Sequence, residues 1–156
     1  MQLSTRARYA VMAMVELAGR GAPAEPVTLT DIAACQQLSQ CYLEQLFGAL
    51  RRAGLVASAR GPGGGYRLAR PARAVAIADI IAAVDESIQA TRCTPGAAGC
   101  LRQADGSDGR CRTHDLWEEL GRQIELFLAA ISLQDVLDGA VAGRAAQPPV
   151  RAVSSV

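Results

Sequence analysis

SQCYLEQLFGALRRAGLVASARGPGGGY, residues 39–66, is the stretch whose reading decides the fold. Its first half reads as a helix to about Ala53. Ser39 stands in a capping position, Leu43, Leu46, Phe47 and Leu50 recur on one face, and Gly54 ends the run. Its second half begins with a short strand-like run, Leu55–Ala59. The tip Arg60-Gly-Pro-Gly-Gly-Gly65 then leads into a second run, Tyr66-Arg67-Leu68. A glycine-rich tip permits positive φ and a close backbone approach to whatever it touches. GPGGGY could instead be a phosphate-cradling nucleotide loop. That loop ends in Lys-Ser/Thr and opens a helix, and Tyr66-Arg67-Leu68 supplies neither.

Toward the N-terminus, residues 4–19 read as a helix capped by Ser4, with Ala7, Val11, Met14, Val15 and Ala18 inward and Gly19 at its end. GRGAPAEP is a loop. Thr28 and Asp31 resemble a capping box opening a second helix over Leu29–Cys35, with Cys35 on its inward side, and Gln36–Leu38 make a tight connection. Residues 29–53 thus form a helix-turn-helix pattern, and residues 55–70 add a β-wing at once. The fold class is mainly α with a small β-wing, a winged helix. The third helix suits a major groove, and the wing can lay Arg60 along a phosphate ridge or into a minor groove, with Gly63 and Gly64 allowing close approach.

On the third helix Gln40, Cys41, Glu44 and Gln45 are the groove-facing candidates, with 41, 44 and 45 sharing one face. Gln45 suits a bidentate bond to an adenine edge, and Glu44 suits cytosine N4 while repelling phosphate. Ser39 at the helix start, Tyr42 and Tyr9 complete the expected DNA-contacting set. Tyr42 reads equally as an aromatic flanking the core. Charge agrees with a polyanionic partner, double-stranded DNA. Residues 1–73 carry nine arginines against four acids, and residues 74–156 carry seven against eleven, although the whole chain is only +1.

Toward the C-terminus, residues 76–87 read as a helix burying Ile77, Ile80, Ile81 and Val84, and residues 91–112 as a loop. From Thr113 to about Ile131 periodicity returns: Leu116, Trp117, Leu120, Ile124, Phe127, Leu128 and Ile131 repeat at steps of three and four. At ~1.5 Å per residue this helix is roughly 28 Å long, an apolar stripe longer than so small a domain easily covers. The expectation is a long dimerisation helix that packs on a partner subunit, against the alternative of a helix packed wholly on its own domain. Ser132 and Asp135 cap a short closing helix, and Ala140–Val156 read as a disordered tail. The division expected is 1–88 DNA-binding, 89–138 ligand loop and dimerisation helix, and 139–156 tail.

Nothing in the 156 residues reaches the ~18 apolar positions of a membrane span, and the start lacks a signal-peptide core, so the expectation is a cytoplasmic protein without membrane contact. An enzyme is disfavoured. There is no Cys-x-x-Cys pair and no evident nucleophile–base arrangement, and the single histidine adjoins a cysteine group.

That group is Cys93-x6-Cys100-x10-Cys111-x2-His114, three thiols and one imidazole within 22 residues. Four such donors can close around one metal centre, and a helix beginning beside Cys111 favours thiolate. Spacing leaves an iron–sulfur cluster, a zinc ion, redox-active thiols and a fortuitous grouping all open.

LSTRARYAVMAM, YLEQLF followed by RGPGGGY, and DES…TRC…C…C-x-x-H closely resemble the Rrf2 family over about residues 1–138, the last combination resembling its iron–sulfur-sensing branch. The resemblance implies a homodimeric winged-helix transcription regulator controlling iron–sulfur assembly genes. It also implies a [2Fe–2S] cluster on Cys93, Cys100, Cys111 and His114. In that branch the glutamate at position 44 separates promoters read only by the cluster-bound form from those read by either form. Two departures stand out. The segment between Cys100 and Cys111 is longer than usual and carries Asp105 and Asp108, and Cys41 occupies a position where relatives often have Ser. A zinc, thiol-redox or nitric-oxide-sensing site is the alternative within the same fold.

Overall fold

Three side-chain caps set the helical frame. Ser4 Oγ accepts from the amides of Arg6 and Ala7, Thr28 Oγ1 from Asp31, and Ser39 Oγ from Tyr42, satisfying amides that the first turn leaves without helical partners. In the computed structural model, which describes residues 4–20, 25–61, 63–84, 101–102 and 108–143, these caps open α1 (Thr5–Arg20), α2 (Leu29–Gln36) and α3 (Gln40–Arg52). The turn between α2 and α3 pivots on Gln37, whose φ of 53° is left-handed, and Gly54 leaves α3 at φ 71°. Thr28 and Asp31 form half of the expected box, since the Thr28 hydroxyl donates to the Asp31 carboxylate at 2.6 Å.

The wing follows directly. β1 (Val56–Ala59) pairs antiparallel with β2 (Gly65–Leu68), Val56 opposite Leu68 and Ala59 opposite Gly65. Val27 adds a bridge on the outer edge of β2, exchanging both 2.8 Å backbone hydrogen bonds with Tyr66. A 3-10 turn (Ala72–Ala74) leads to α4 (Ile77–Ala83), then come β3 (Leu101–Arg102), β4 (Asp108–Gly109), α5 (His114–Ala130) and α6 (Leu133–Leu137). Ser132 and Asp135 complete a full capping box before α6.

One core joins these pieces. Met14 and Leu17 of α1, Ile32 of α2, Leu43, Phe47 and Leu50 of α3, Ile80 and Ile81 of α4, and Ile131 and Leu133 beyond α5 are all buried together. Burial of apolar area on this scale is the main term holding the wing and the later helices to the helix-turn-helix.

Several expectations need correction. The inward seam of α1 runs through Ala7, Ala10, Met14 and Leu17, so Val11, Val15 and Ala18 are only half-buried at its margin. Cys35 is exposed rather than inward, because the short α2 buries Leu29 and Ile32 and position 35 lies a quarter-turn beyond that seam. The segment expected as plain loop contains an antiparallel ladder, Leu101 opposite Gly109 and Arg102 opposite Asp108. Ile131 lies past the end of α5, 2% exposed and in the common core, so it cannot serve a partner subunit. Val141 of the expected tail packs partly on the core within the turn at 138–143. The boundary at 88/89 and residues 144–156 lie outside the described residues. No helix among the described residues is long and apolar enough to cross a membrane.

Candidate nucleic-acid interface and metal-ligand region

The amphipathicity of α3 sorts its side chains cleanly. Leu43, Leu46, Phe47, Ala49 and Leu50 are buried, while Gln40, Cys41, Glu44 and Gln45 are exposed together on the opposite side. Gly48, three and four residues beyond Gln45 and Glu44, continues that face with open space where a Cβ would stand. Sequence reasoning passed over it, although the 41-44-45-48 spacing marks it. Thr30 of α2 was also missed. Its hydroxyl donates to Gln40 Oε1 at 3.3 Å, and Gln40 Nε2 donates to Glu44 Oε1 at 3.3 Å, so Glu44 stands at the end of a short polar relay. Tyr42 is half-buried and packs edge-on against Tyr9 of α1, ring centroids 6.1 Å apart. That contact makes both tyrosines the seam between α1 and the start of α3.

The wing projects Arg60, exposed at its tip, beside Gly61 at φ 105° and Gly63 at φ 78°. A Cβ on Gly64 would lie 2.6 Å from the Ala59 carbonyl oxygen, and one on Gly65 would collide with the Val27 carbonyl. These glycines are therefore required by the turn itself, before any ligand is considered. Tyr66 packs on Phe47 with centroids 4.8 Å apart, fixing the wing's angle to α3. Exposed Arg51 and Arg52 end α3, and exposed Arg67 lies on β2.

Of the four cysteine-region donors, the structure describes Cys111 and His114, and Cys93 and Cys100 lie outside the described residues. Cys111 is half-buried, its Sγ 3.5 Å from Thr113 Oγ1, and its carbonyl accepts the His114 amide at 3.0 Å. His114, first residue of α5, is 1% exposed, the only fully buried residue of that helix. Its Nε2 stands 3.3 Å from Glu118 Oε2. Donor atoms of His114, Asp115 and Glu118 lie within 4.8 Å of one another, but Asp115 is 89% exposed and pairs with Arg110 at 3.5 Å. Thr113 Oγ1 also accepts from Trp117 Nε1 at 3.1 Å. Leu101 and Arg102 pair with Gly109 and Asp108, β3 beginning next in sequence to Cys100 and β4 ending two residues short of Cys111.

Beyond His114, α5 is largely uncovered. Leu116 is 60% exposed, Leu126 51%, Leu120 38% and Trp117 37%, while Ile124, Phe127 and Leu128 are half-buried. Glu119 is held at about 2 chiefly by the Arg122 guanidinium, with Gln123 adding a hydrogen bond. On α1 the Glu16 carboxyl is lowered mainly by Arg20, and Gln36 Nε2 donates to the same carboxylate at 3.1 Å.

The chain matches the Rrf2 family, described as an iron-dependent transcriptional regulator, over residues 3–139. It is 49% identical over 137 residues to the HTH-type transcriptional regulator IscR of Xenorhabdus nematophila, covering 88% of this chain and 79% of that one. A likeness of 47% over 150 residues links it to the regulator of the same name from Escherichia coli, covering 92% and 87%. Among solved structures it is similar to T. potens IscR, with TM-score 0.71 and 36% identity over 95% of this chain and 94% of that one. It is also similar to CymR, the global cysteine regulator of B. subtilis, with TM-score 0.69 and 31% identity over 89% and 98%. These relatives are transcriptional regulators, not enzymes.

Proposed function

This chain belongs to the Rrf2 family as an IscR-type, DNA-binding transcriptional regulator, and from that premise we propose that a [2Fe–2S] cluster held by Cys93, Cys100, Cys111 and His114 switches its choice of promoters. The observation that carries the reading is the burial of His114 one turn from Cys111 at the start of α5. The only histidine of the chain is thereby taken out of solvent at a helix N-terminus, beside a thiol whose anionic form that terminus favours. Soft sulfur with one imidazole is a donor set suited to iron–sulfur ligation. The long interval between Cys100 and Cys111 is compatible with it, because the β3–β4 pairing draws Leu101, beside Cys100, against Gly109, two residues before Cys111. When bound, the cluster supplies a redox-active, displaceable charge at that point.

The chain's own residues couple this point to DNA. His114 opens α5, and the far end of α5 is tied to α4 by the hydrogen bond from Ile77 to Ile131. Ordering the start of α5 thereby biases the placement of the winged helix in a symmetric pair. The homodimer forms along Leu116, Trp117, Leu120, Ile124, Phe127 and Leu128. In the DNA complex, Cys41, Glu44 and Gln45 face the major groove, with Gln40 holding Glu44. Ser39, Tyr9 and Tyr42 lie at backbone, and the wing sets Arg60 on phosphate, with Gly63 and Gly64 at the closest approach. Its targets are genes of iron–sulfur cluster assembly. The division into 1–88, 89–138 and 139–156 follows from these roles.

The alternative within the same fold is a zinc, thiol-redox or nitric-oxide-sensing site, and of these the carboxylates of Asp115 and Glu118 beside His114 favour zinc. Anaerobic purification separates the two. Brown protein with two irons and two sulfides per chain is the expected result, and Cys111→Ala bleaches it and changes operator preference. Colourless protein with one zinc, or with intact thiols alone, overturns the cluster.

A further inference from the structure

Gly48 stands inside α3, and the fold gives no reason for a glycine there. Apart from its chain neighbours, no side chain among the described residues and no backbone outside its own helix comes within 4 Å of where its Cβ would stand. Its φ is not positive either. Gly64 and Gly65 differ, since backbone carbonyls occupy the place of their Cβ atoms. Glycine in a helix interior is less stable than alanine, so position 48 gives up stability without a packing return.

Its place on the helix is specific. At ~3.6 residues per turn, position 48 falls between Glu44 and Cys41 around the axis, in the middle of the exposed side. Exposed Arg51 and Arg52 flank it one turn on. We propose that Gly48 is a specificity-determining residue: its missing side chain is the clearance that seats α3 deep enough in the major groove for Glu44 and Gln45 to reach base edges. The proposal rests on the reading above in which this face meets DNA, and extends it to how closely the helix docks. The groove is ~12 Å wide and a helix with its side chains ~10–12 Å across, so a methyl added at the centre of the docking face finds no slack. Hydrogen bonds to base edges weaken steeply once the partners are pushed apart. Attraction between the arginines and phosphate falls off gently with distance, so non-specific binding outlasts base readout.

Stability and binding then respond to different properties of residue 48. Full-length Gly48→Ala, Gly48→Val and Gln45→Ala are unfolded in urea and titrated with random DNA and with an operator that the unsubstituted chain selects from random-sequence duplexes. Helix propensity orders stability as Ala, then Val, then Gly, so neither variant at 48 should be less stable than the unsubstituted chain. Bulk orders operator affinity the other way. Gly48→Ala should bind operator about tenfold more weakly, within the loss that one mismatched base pair causes, and Gly48→Val more weakly still. Random DNA should be bound much as before. A loss of binding in a chain that has gained stability cannot come from misfolding. Unchanged operator affinity in Gly48→Ala, a Gly48→Val that binds no more weakly than Gly48→Ala, or an equal loss on operator and random DNA each overturns the proposal. If Gln45→Ala relaxes sequence preference while Gly48→Ala binds normally, the clearance role alone falls. If Gln45→Ala also leaves preference intact, the reading of α3 as the groove helix falls and takes the proposal with it.

Discussion

Ile77 donates its amide to the Ile131 carbonyl across 2.9 Å, and two residues on Leu133 returns a 2.8 Å bond to Val75. This pair of bonds, with Ala76 bridged to Ser132 between them, joins the start of α4 to the end of α5. The Ile131 side chain is in turn sealed in the common core. Ile131→Ala is expected to destabilise the folded chain by about 2–5 kcal/mol, the cost of an unfilled core cavity. Urea unfolding measures it, and a change under about 1 kcal/mol would place Ile131 outside the packed core.

The opposite holds on the outer face of α5. Leu116 and Leu120 are too exposed to contribute much to one chain's stability, so their truncation separates folding from pairing. Leu116→Glu with Leu120→Glu is expected to leave far-ultraviolet circular dichroism unchanged and to yield monomers in sedimentation. Loss of paired subunits should weaken binding to a two-half-site operator by at least about tenfold, the factor equivalent to 1.4 kcal/mol. A double variant that still sediments as a dimer would move the subunit interface elsewhere.

Two glycines predict opposite signs. Gly65 has the Val27 carbonyl where its Cβ would be, so Gly65→Ala must break the Val27–Tyr66 bridge or displace β2. A cost of about 1–3 kcal/mol is expected, as for other forced overpacking. Gly48 sits inside α3 with open space around it, and Gly48→Ala should stabilise by about 0.5–1 kcal/mol through helix propensity. Thermal melts of the two variants in parallel test both, and the same sign for both would contradict the packing described.

Much of this was legible in the sequence because local rules agreed with the final packing. Ser39 caps α3, Leu43, Leu46, Phe47 and Leu50 point inward, and the Arg60–Gly65 tip joins two strands, all as spacing requires. Where tertiary context decides, the sequence was silent or misleading. Cys35 faces outward because its short helix has a narrow seam, and Ile131 belongs to the core because the helix stops one residue before it. The β3–β4 ladder is only two residues per strand, too brief to produce alternation. The Thr30–Gln40–Glu44 relay joins residues ten apart through a turn, a relation no periodicity reports. Cys111 and His114 were legible as a donor pair from spacing, but the depth at which His114 lies was not.

Glu119 gives a pH signature to α5. Its carboxyl, held at about 2 against an ordinary 4.5 by Arg122, has a folded value below the unfolded one. Its stabilising contribution is therefore complete above about 4.5 and disappears as pH falls through about 2. Because the group is solvent-exposed, salt screens the effect. Melting temperatures of the unsubstituted chain and Glu119→Gln should differ most at neutral pH and low salt and converge by pH 2. A gap that widens on acidification reverses the sign and excludes the Arg122 pairing as its cause.

Arg60 is exposed at the wing tip, on a turn whose shape is already fixed by Gly61, Gly63 and Gly64. Its removal should therefore alter binding without altering folding. Each phosphate neutralised by a protein cation releases counterions, and log K falls with log salt by about 0.9 per contact. Arg60→Ala should reduce that slope by about 1 and weaken specific and non-specific DNA to a similar degree, since phosphate carries no sequence information. Gln45→Ala, on the exposed face of α3, should leave the slope unchanged and relax discrimination at one base pair by about 1–3 kcal/mol. Titrations of both variants at several salt concentrations, on operator and on random DNA, check the pair. If Arg60→Ala left the slope intact while erasing sequence preference, the wing would be reading bases and the division of labour between wing and α3 would have to be reversed.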